Sequence, residues 1–127
     1  MGISRRLVVL WLPVVLYMTF IFILSSISQP PELPLGTDKD AHGVLYAGLG
    51  VLLVRALAGG ARRPVTLRIA ITAIGIAALY GVSDEFHQWF VPPRQVEVLD
   101  VVADTVGAAV PSVLLCAWSM RRSRGRV

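Results

Sequence analysis

The sequence predicts an all-α integral membrane protein, a bundle of four spanning helices with both termini on the cytoplasmic side. Three observations carry this expectation. The chain of 127 residues is 55% hydrophobic and only 16% charged, with a mean hydropathy of +0.69, whereas a soluble domain carries roughly 25% charged residues. Its charges are unevenly placed and leave long uncharged stretches between them. Its arginines flank those stretches and form no basic face interleaved with aromatics. The net charge of +4 and the pI near 10.0 therefore speak for membrane topology and against a nucleic-acid partner. The length fits a single domain over 1–127.

The first span is Leu7 to Ile27, which contains no charge and at ~1.5 Å per residue can cross a hydrocarbon core of ~30 Å. Pro13 lies one turn in, where it kinks a helix without having to break it. Arg5 and Arg6 before it and the small residues of SSIS after it also suit a cleaved signal peptide, but the apolar stretch is too long and no A-x-A site follows. The second span, about 41–58, is short and rich in small residues, Gly43, Ala47, Gly48 and Gly50. Such a face permits close helix contact and could support an oligomer. The third span is about 65–83, with Arg68 in its first turn. The fourth, about 101–120, carries Asp104 inside it.

Orientation follows from the arginines. Arg5 and Arg6 precede span one; Arg55, Arg62, Arg63 and Arg68 surround the turn between spans two and three; Arg121, Arg122, Arg124 and Arg126 form the tail. With four spans all of these fall on one side, which the positive-inside rule makes the cytoplasm. The connections 28–40 and 84–100 then face outward. They hold every acid except Asp104, and both histidines lie in or beside them. The single cysteine, Cys116, sits in an apolar run and reads as a buried, inert thiol, since one cysteine builds neither a disulfide nor a thiolate zinc site.

Helical spacing gathers polar residues at the outer ends. His42 and Tyr46 are i and i+4 on span two, with Lys39 three residues earlier. Tyr80, Asp84 and Gln88 share a face if span three continues that far, and Asp100, Asp104 and Ala108 share one at the head of span four. Asp104 is the most informative, because an acid inside an apolar helix must be paired or must face a cavity. Arg94, in a loop stiffened by Pro92 and Pro93, is a candidate partner. Taken singly, Asp84, Glu85 and Asp100 also suit solvated helix caps, His42 a satisfied interface histidine, and Gln88, Trp89 and Phe90 an interfacial belt. Their coincidence on one membrane face points to a shared pocket. Asp84 and Glu85, about 100° apart on the helix, should divide their roles: Glu85 reaching toward His42, and Asp84 capping a helix or pairing with Arg94 or Lys39.

The stretches DKDAHGVLYAGLG (38–50), YGVSDEFHQWFVPPR (80–94) and DVVADTVGA (100–108) resemble the VanZ-like family of small bacterial membrane proteins. The matching residues are Lys39, His42, Tyr46, Asp84, Glu85, Gln88, Arg94, Asp100, Asp104 and Gly107, and the first span fits in position and character. The family typically has asparagine where this chain has Asp104, so this chain adds a charge. The family is named for a protein associated with low-level resistance to the glycopeptide teicoplanin. The resemblance implies a multi-pass protein of the bacterial cytoplasmic (inner) membrane and a role in the cell envelope, without implying a reaction.

Two expectations from different classes follow. The first is a non-enzymatic envelope protein whose outward pocket binds a lipid-linked cell-wall precursor, a lipid headgroup or a lipoglycopeptide, contributing to antibiotic resistance. Lys39, His42, Tyr46, Gln88, Arg94, Asp100 and Asp104 would be its binding residues. The second is a membrane-embedded, metal-dependent hydrolase or transferase acting on a lipid or peptidoglycan precursor. Glu85, Asp84 and His42 would then be catalytic, with Asp84, Glu85 and Asp104 as candidate ligands of a divalent cation. No H-E-x-x-H motif and no serine nucleophile elbow supports the second. A third class, a proton or cation transporter, would use Asp104 as a relay acid, but a single intramembrane acid makes no pathway.

Overall fold

The computed structural model describes residues 2–29, 38–60 and 62–125, Asp38 by its backbone alone. Four helices make up the chain: α1 (Ile3–Ser25), α2 (Asp38–Leu57), α3 (Leu67–Gln88) and α4 (Val98–Arg124). All four are long and apolar enough to cross a membrane, and the described residues contain no strand. Most of the expected loop 28–40, including residues 30–37, and the tail residue Arg126 lie outside the described residues.

The helices run past the spans expected from hydropathy, and each extension has a local cause. Helix α3 begins at Leu67 because the Thr66 hydroxyl accepts the Ile69 backbone N–H at 3.3 Å. It continues through Asp84 and Glu85 to Gln88, since these polar residues are buried against neighbouring helices and do not enter a water-filled loop. Helix α4 starts at Val98 after Glu97, an extended residue whose backbone N–H is taken by the Glu85 carboxylate. The connection between α3 and α4, expected from the sequence to span 84–100, therefore shrinks to 89–97.

Pro13 and Pro111 sit inside α1 and α4 without ending them. A proline removes the N–H that would bond the carbonyl four residues earlier. For Pro13 that carbonyl is Val9, and Arg55 of α2 donates to it at 3.4 Å. The gap in one helix thus becomes a bond to the next.

Small residues set the spacing of the bundle. Gly107 of α4 lies against the Gly43 backbone of α2, where an added Cβ would collide with the Gly43 carbonyl and come within 2.8 Å of its Cα. About two turns further along α2, an added Cβ on Gly50 would sit 2.7 Å from the Ala108 carbonyl. Gly48 faces α1 and makes room for Tyr17, whose hydroxyl donates to the Leu45 carbonyl at 2.9 Å. Gly43, Gly48 and Gly50 of α2 thus each face another helix of the same chain. Helices α1 and α4 each pack on the α2–α3 pair and make no close backbone approach to one another among the described residues.

The two ends of the bundle differ in charge. Arg6 donates to the Gly59 carbonyl, and the Val65 N–H to Ser119 Oγ, which places the start of α1, the end of α2, the start of α3 and the end of α4 together. Both described ends of the chain therefore lie at this end. It holds every described lysine and arginine except Lys39 and Arg94, while every described acid is at the other. Between them the helices present an apolar exterior: Leu7, Val15 and Leu16 on α1, Ile71 and Leu79 on α3, Val110, Val113 and Leu114 on α4. Buried Leu49, Leu53, Ala73 and Ala77 fill the interior.

Replacing Gly107 with valine should force α2 and α4 apart and cost about 1–3 kcal/mol, the usual penalty of overpacking. Gly75, whose Cβ position is open, should accept alanine without loss. Melting temperatures in detergent distinguish the two. Equal stability of both variants would contradict the close α2–α4 contact.

Candidate functional site

The polar residues predicted from the sequence gather at the acidic end, brought there by helix rows four residues apart. Helix α2 contributes Lys39, His42 and Tyr46; α3 contributes Asp84, Glu85 and Gln88; α4 contributes Asp100 and Asp104. His42, Tyr46, Asp84, Glu85, Gln88, Asp100 and Asp104 are all buried, Tyr46 and Asp104 completely. On α4 the row Asp100, Asp104, Ala108, Ser112, Cys116 forms the inward face, and the cysteine is a free, buried thiol as expected.

The deepest contact joins His42 Nδ1 to Asp104 Oδ1 at 2.8 Å, across the α2–α4 seam. Gly81 of α3 makes space for it, since a Cβ there would lie 2.9 Å from Asp104 Oδ2. Nearer the helix ends, Lys39 Nζ lies 2.6 Å from Glu97 Oε2 and 3.4 Å from Asp100 Oδ1. The first contact has hydrogen-bond geometry; the second is an ion pair that leaves Asp100 Oδ1 without a hydrogen bond.

The expected pairing of Arg94 with Asp104 is not what forms. Arg94 Nε and Nη2 donate to the Ile27 and Leu24 carbonyls at 3.2 and 3.3 Å, and Nη1 to Gln88 Oε1 at 3.4 Å. The last carbonyls of a helix lack partners within it, and a guanidinium satisfies several at once, so Arg94 fastens the end of α1. Asp104, one turn deeper, is reached instead by His42 from the adjacent helix.

The expected division between the adjacent acids also takes a different form. Glu85 Oε2 accepts the Glu97 N–H at 3.2 Å and so supports the start of α4, while Glu85 also reaches the His42–Asp100 cluster. Asp84 Oδ2 accepts from Gln88 Nε2 at 3.3 Å, one turn along its own helix, and neither acid forms an ion pair with Arg94 or Lys39. His87 turns away to α1, stacked on Phe22 with its Nε2 2.9 Å from Ser26 Oγ.

A cavity of about 260 Å³ opens beside this network, lined by Ser28, Gln88, Pro93, Arg94, Gln95, Glu97 and Asp100. Ser28, Gln95 and Glu97 escaped the sequence reading. Of these only Glu97 carried a signal, as the residue just before a helix. Tyr46, expected to bind substrate, lies beneath the network beside Tyr80, their rings 6.2 Å apart.

Buried polar atoms are normally hydrogen-bonded. Here Tyr46 OH, Asp84 Oδ1, Glu85 Oε1, Asp100 Oδ1 and Asp104 Oδ2 are buried without a hydrogen-bond partner among the described residues. His42, Glu85 and Asp100 each offer a ligand atom, and these lie within 4.8 Å of one another. Chemically the end of the bundle is rich in acceptors, with its nearby cations already engaged: Arg94 by carbonyls, Lys39 by Glu97.

Asp104→Ala should remove His42's buried partner and destabilise the protein by roughly 3–5 kcal/mol, the cost of breaking a buried pair. Asp104→Asn retains an acceptor oxygen for His42 and should lose no more than about 1.5 kcal/mol. Equal losses, read from unfolding in detergent, would rule out the His42 bond as what makes a polar residue tolerable at this position.

The comparison with curated proteins and the comparison with solved structures each return no match. The comparison with protein families does: the model described as VanZ/LLP1 matches residues 8–119, from the first span to the end of the last. With four apolar helices, a polar cluster at one end and that match over most of its length, the chain belongs to the VanZ-like family of membrane proteins.

Proposed function

We propose that this protein binds the polar head of an envelope lipid or lipid-linked cell-wall precursor in the cavity at its acidic end. There it is also placed to engage a lipoglycopeptide and so contribute to teicoplanin resistance. The observation that carries this reading is the cavity's setting. Its wall of Ser28, Gln88, Arg94, Gln95, Glu97 and Asp100 is flanked in sequence by exposed apolar side chains, Trp89, Phe90, Val96, Val98 and Leu99. A polar recess whose lining residues alternate along the chain with exposed apolar ones suits a ligand with a polar head and hydrocarbon chains, with Trp89 and Phe90 at interfacial depth. Arg94, held by three acceptors, offers a rigid guanidinium edge for phosphate or carboxylate.

The charge asymmetry of the bundle supports a cytoplasmic arginine-rich end and an outward-facing cavity in the bacterial inner membrane. In intact cells, an impermeant thiol reagent should label Gln95→Cys and leave Ser123→Cys unlabelled. The reverse pattern would put the cavity on the cytoplasmic side and remove its access to outer-leaflet ligands.

Headgroup binding is tested by filling the recess. Gln95→Trp adds bulk at the cavity wall without touching the buried network. It should weaken retention of polyprenyl-phosphate or phosphatidylglycerol, followed by native mass spectrometry, by at least about tenfold, ~1.4 kcal/mol, at unchanged melting temperature. Undiminished retention would exclude the cavity as the binding site.

A second reading, a hydrolase or transferase acting on the same headgroup, draws on one observation. The His42–Asp104 pair and Glu85 lie against the cavity wall at Asp100, a histidine oriented by a carboxylate as general bases are. Release of product from a polyprenyl-diphosphate substrate by purified protein, lost in His42→Gln, would decide for it.

A further inference from the structure

We infer that His42, Glu85 and Asp100 form a site for a divalent transition-metal cation, with Asp104 positioning the histidine. Their three ligand atoms lie within 4.8 Å of one another and come from three different helices. A cation bound at ~2.0–2.6 Å draws ligands to separations of this order with small side-chain movement. The residues are not a surface patch of acids: all three are buried.

Two further observations point to a cation and not to a solvated cluster. Glu85 Oε1 is buried with no hydrogen-bond partner among the described residues, and Asp100 Oδ1 is buried with only the 3.4 Å ion pair to Lys39 Nζ; buried acceptors left in this state are destabilising. A cation satisfies both together. The second is the bond from His42 Nδ1 to Asp104 Oδ1. Metal-bound histidines characteristically direct their other nitrogen to a carboxylate, which fixes tautomer and ring orientation. With Nδ1 given to Asp104, Nε2 is the nitrogen that would face the cation.

The surrounding charge agrees. Asp84, Glu85, Asp100 and Asp104 are four buried carboxylates. Against them stand His42 and Lys39, and Lys39 sits closer to Glu97 than to Asp100. Arg94 gives three of its N–H groups to the Ile27 and Leu24 carbonyls and to Gln88 and forms no ion pair with these carboxylates among the described residues. Two carboxylates with one imidazole make a mixed oxygen and nitrogen set, which suits Zn²⁺ or Mn²⁺ better than Ca²⁺ or Mg²⁺. Asp100 belongs both to this cluster and to the cavity wall, so the cation would lie where a phosphate head enters. That last point alone rests on the headgroup reading above.

The test uses metal alone, without lipid, so its failure and that of headgroup binding are separable. Detergent-purified protein, stripped with chelator and reloaded with Zn²⁺ or Mn²⁺, should retain about one equivalent and melt at higher temperature, as for any ligand of the folded state. Glu85→Gln and Asp100→Asn should abolish retention, and Asp104→Asn should weaken it by about 10–100-fold, as loss of an orienting partner does. Asp40→Asn, on the exposed side of α2, should bind as wild type. Pulsed electron paramagnetic resonance of the Mn²⁺-loaded wild type should show coupling to an imidazole nitrogen, a readout that does not depend on any variant folding. Wild-type protein that retains no metal, variants of Glu85 and Asp100 that bind undiminished, or bound Mn²⁺ without nitrogen coupling would each overturn the assignment.

Discussion

Asp104 lies inside α4, in a segment otherwise apolar, and no carboxylate is stable there without a partner. The acidic end of the bundle is organised around that constraint. The partner is His42 of α2 at 2.8 Å, and the two helices come close enough for the bond because Gly43 and Gly107 let their backbones meet. On the third side Gly81 of α3 leaves the volume that the carboxylate fills. Helix spacing and polar chemistry are therefore one problem in this protein. Widening the α2–α4 seam by a methyl group would strand a charge as well as open a gap.

Helix α1 is held differently. Among the described residues its backbone makes no close approach to α4, and its outer face is apolar and exposed. Side chains of the other segments reach it mainly by bonding its backbone carbonyls: Tyr80 to Met18 at 2.5 Å, Arg55 to Val9, Arg94 to Leu24 and Ile27. In hydrocarbon there is no hydrophobic drive to bring helices together, so packing and polar contacts must do it. Pro13 contributes by freeing the Val9 carbonyl that Arg55 takes. Arg94 couples this attachment to the cavity, because the guanidinium that holds the end of α1 also forms part of the cavity wall.

The acceptor-rich character of the acidic end ties these features to function. Carboxylates in a low-dielectric environment favour whatever cation or donor can reach them. The cations of this chain are largely engaged elsewhere, most of them at the opposite end of the bundle. The excess of unsatisfied oxygens beside an open recess is what makes binding of a polar head, with or without a metal between, the reading that the geometry supports best.

Hydropathy and charge placement by themselves determined the four spans and the polar end, because both depend on transfer energies that are local to each segment. Helical periodicity likewise determined that His42 and Tyr46, Asp84 and Gln88, and Asp100 and Asp104 share faces, since that follows from 3.6 residues per turn. It could not say how those faces turn toward one another. The rotation and approach of the helices, set by glycines whose contacts exist only in the assembled bundle, decided that Asp104 meets His42 and not Arg94. The same packing decided that Glu85 reaches both the start of α4 and the cluster, and that Asp84 stays with Gln88. Helix ends followed suit: α3 and α4 extend beyond their apolar runs because burial by neighbours, invisible along one segment, removes the need for polar residues to leave the helix for water.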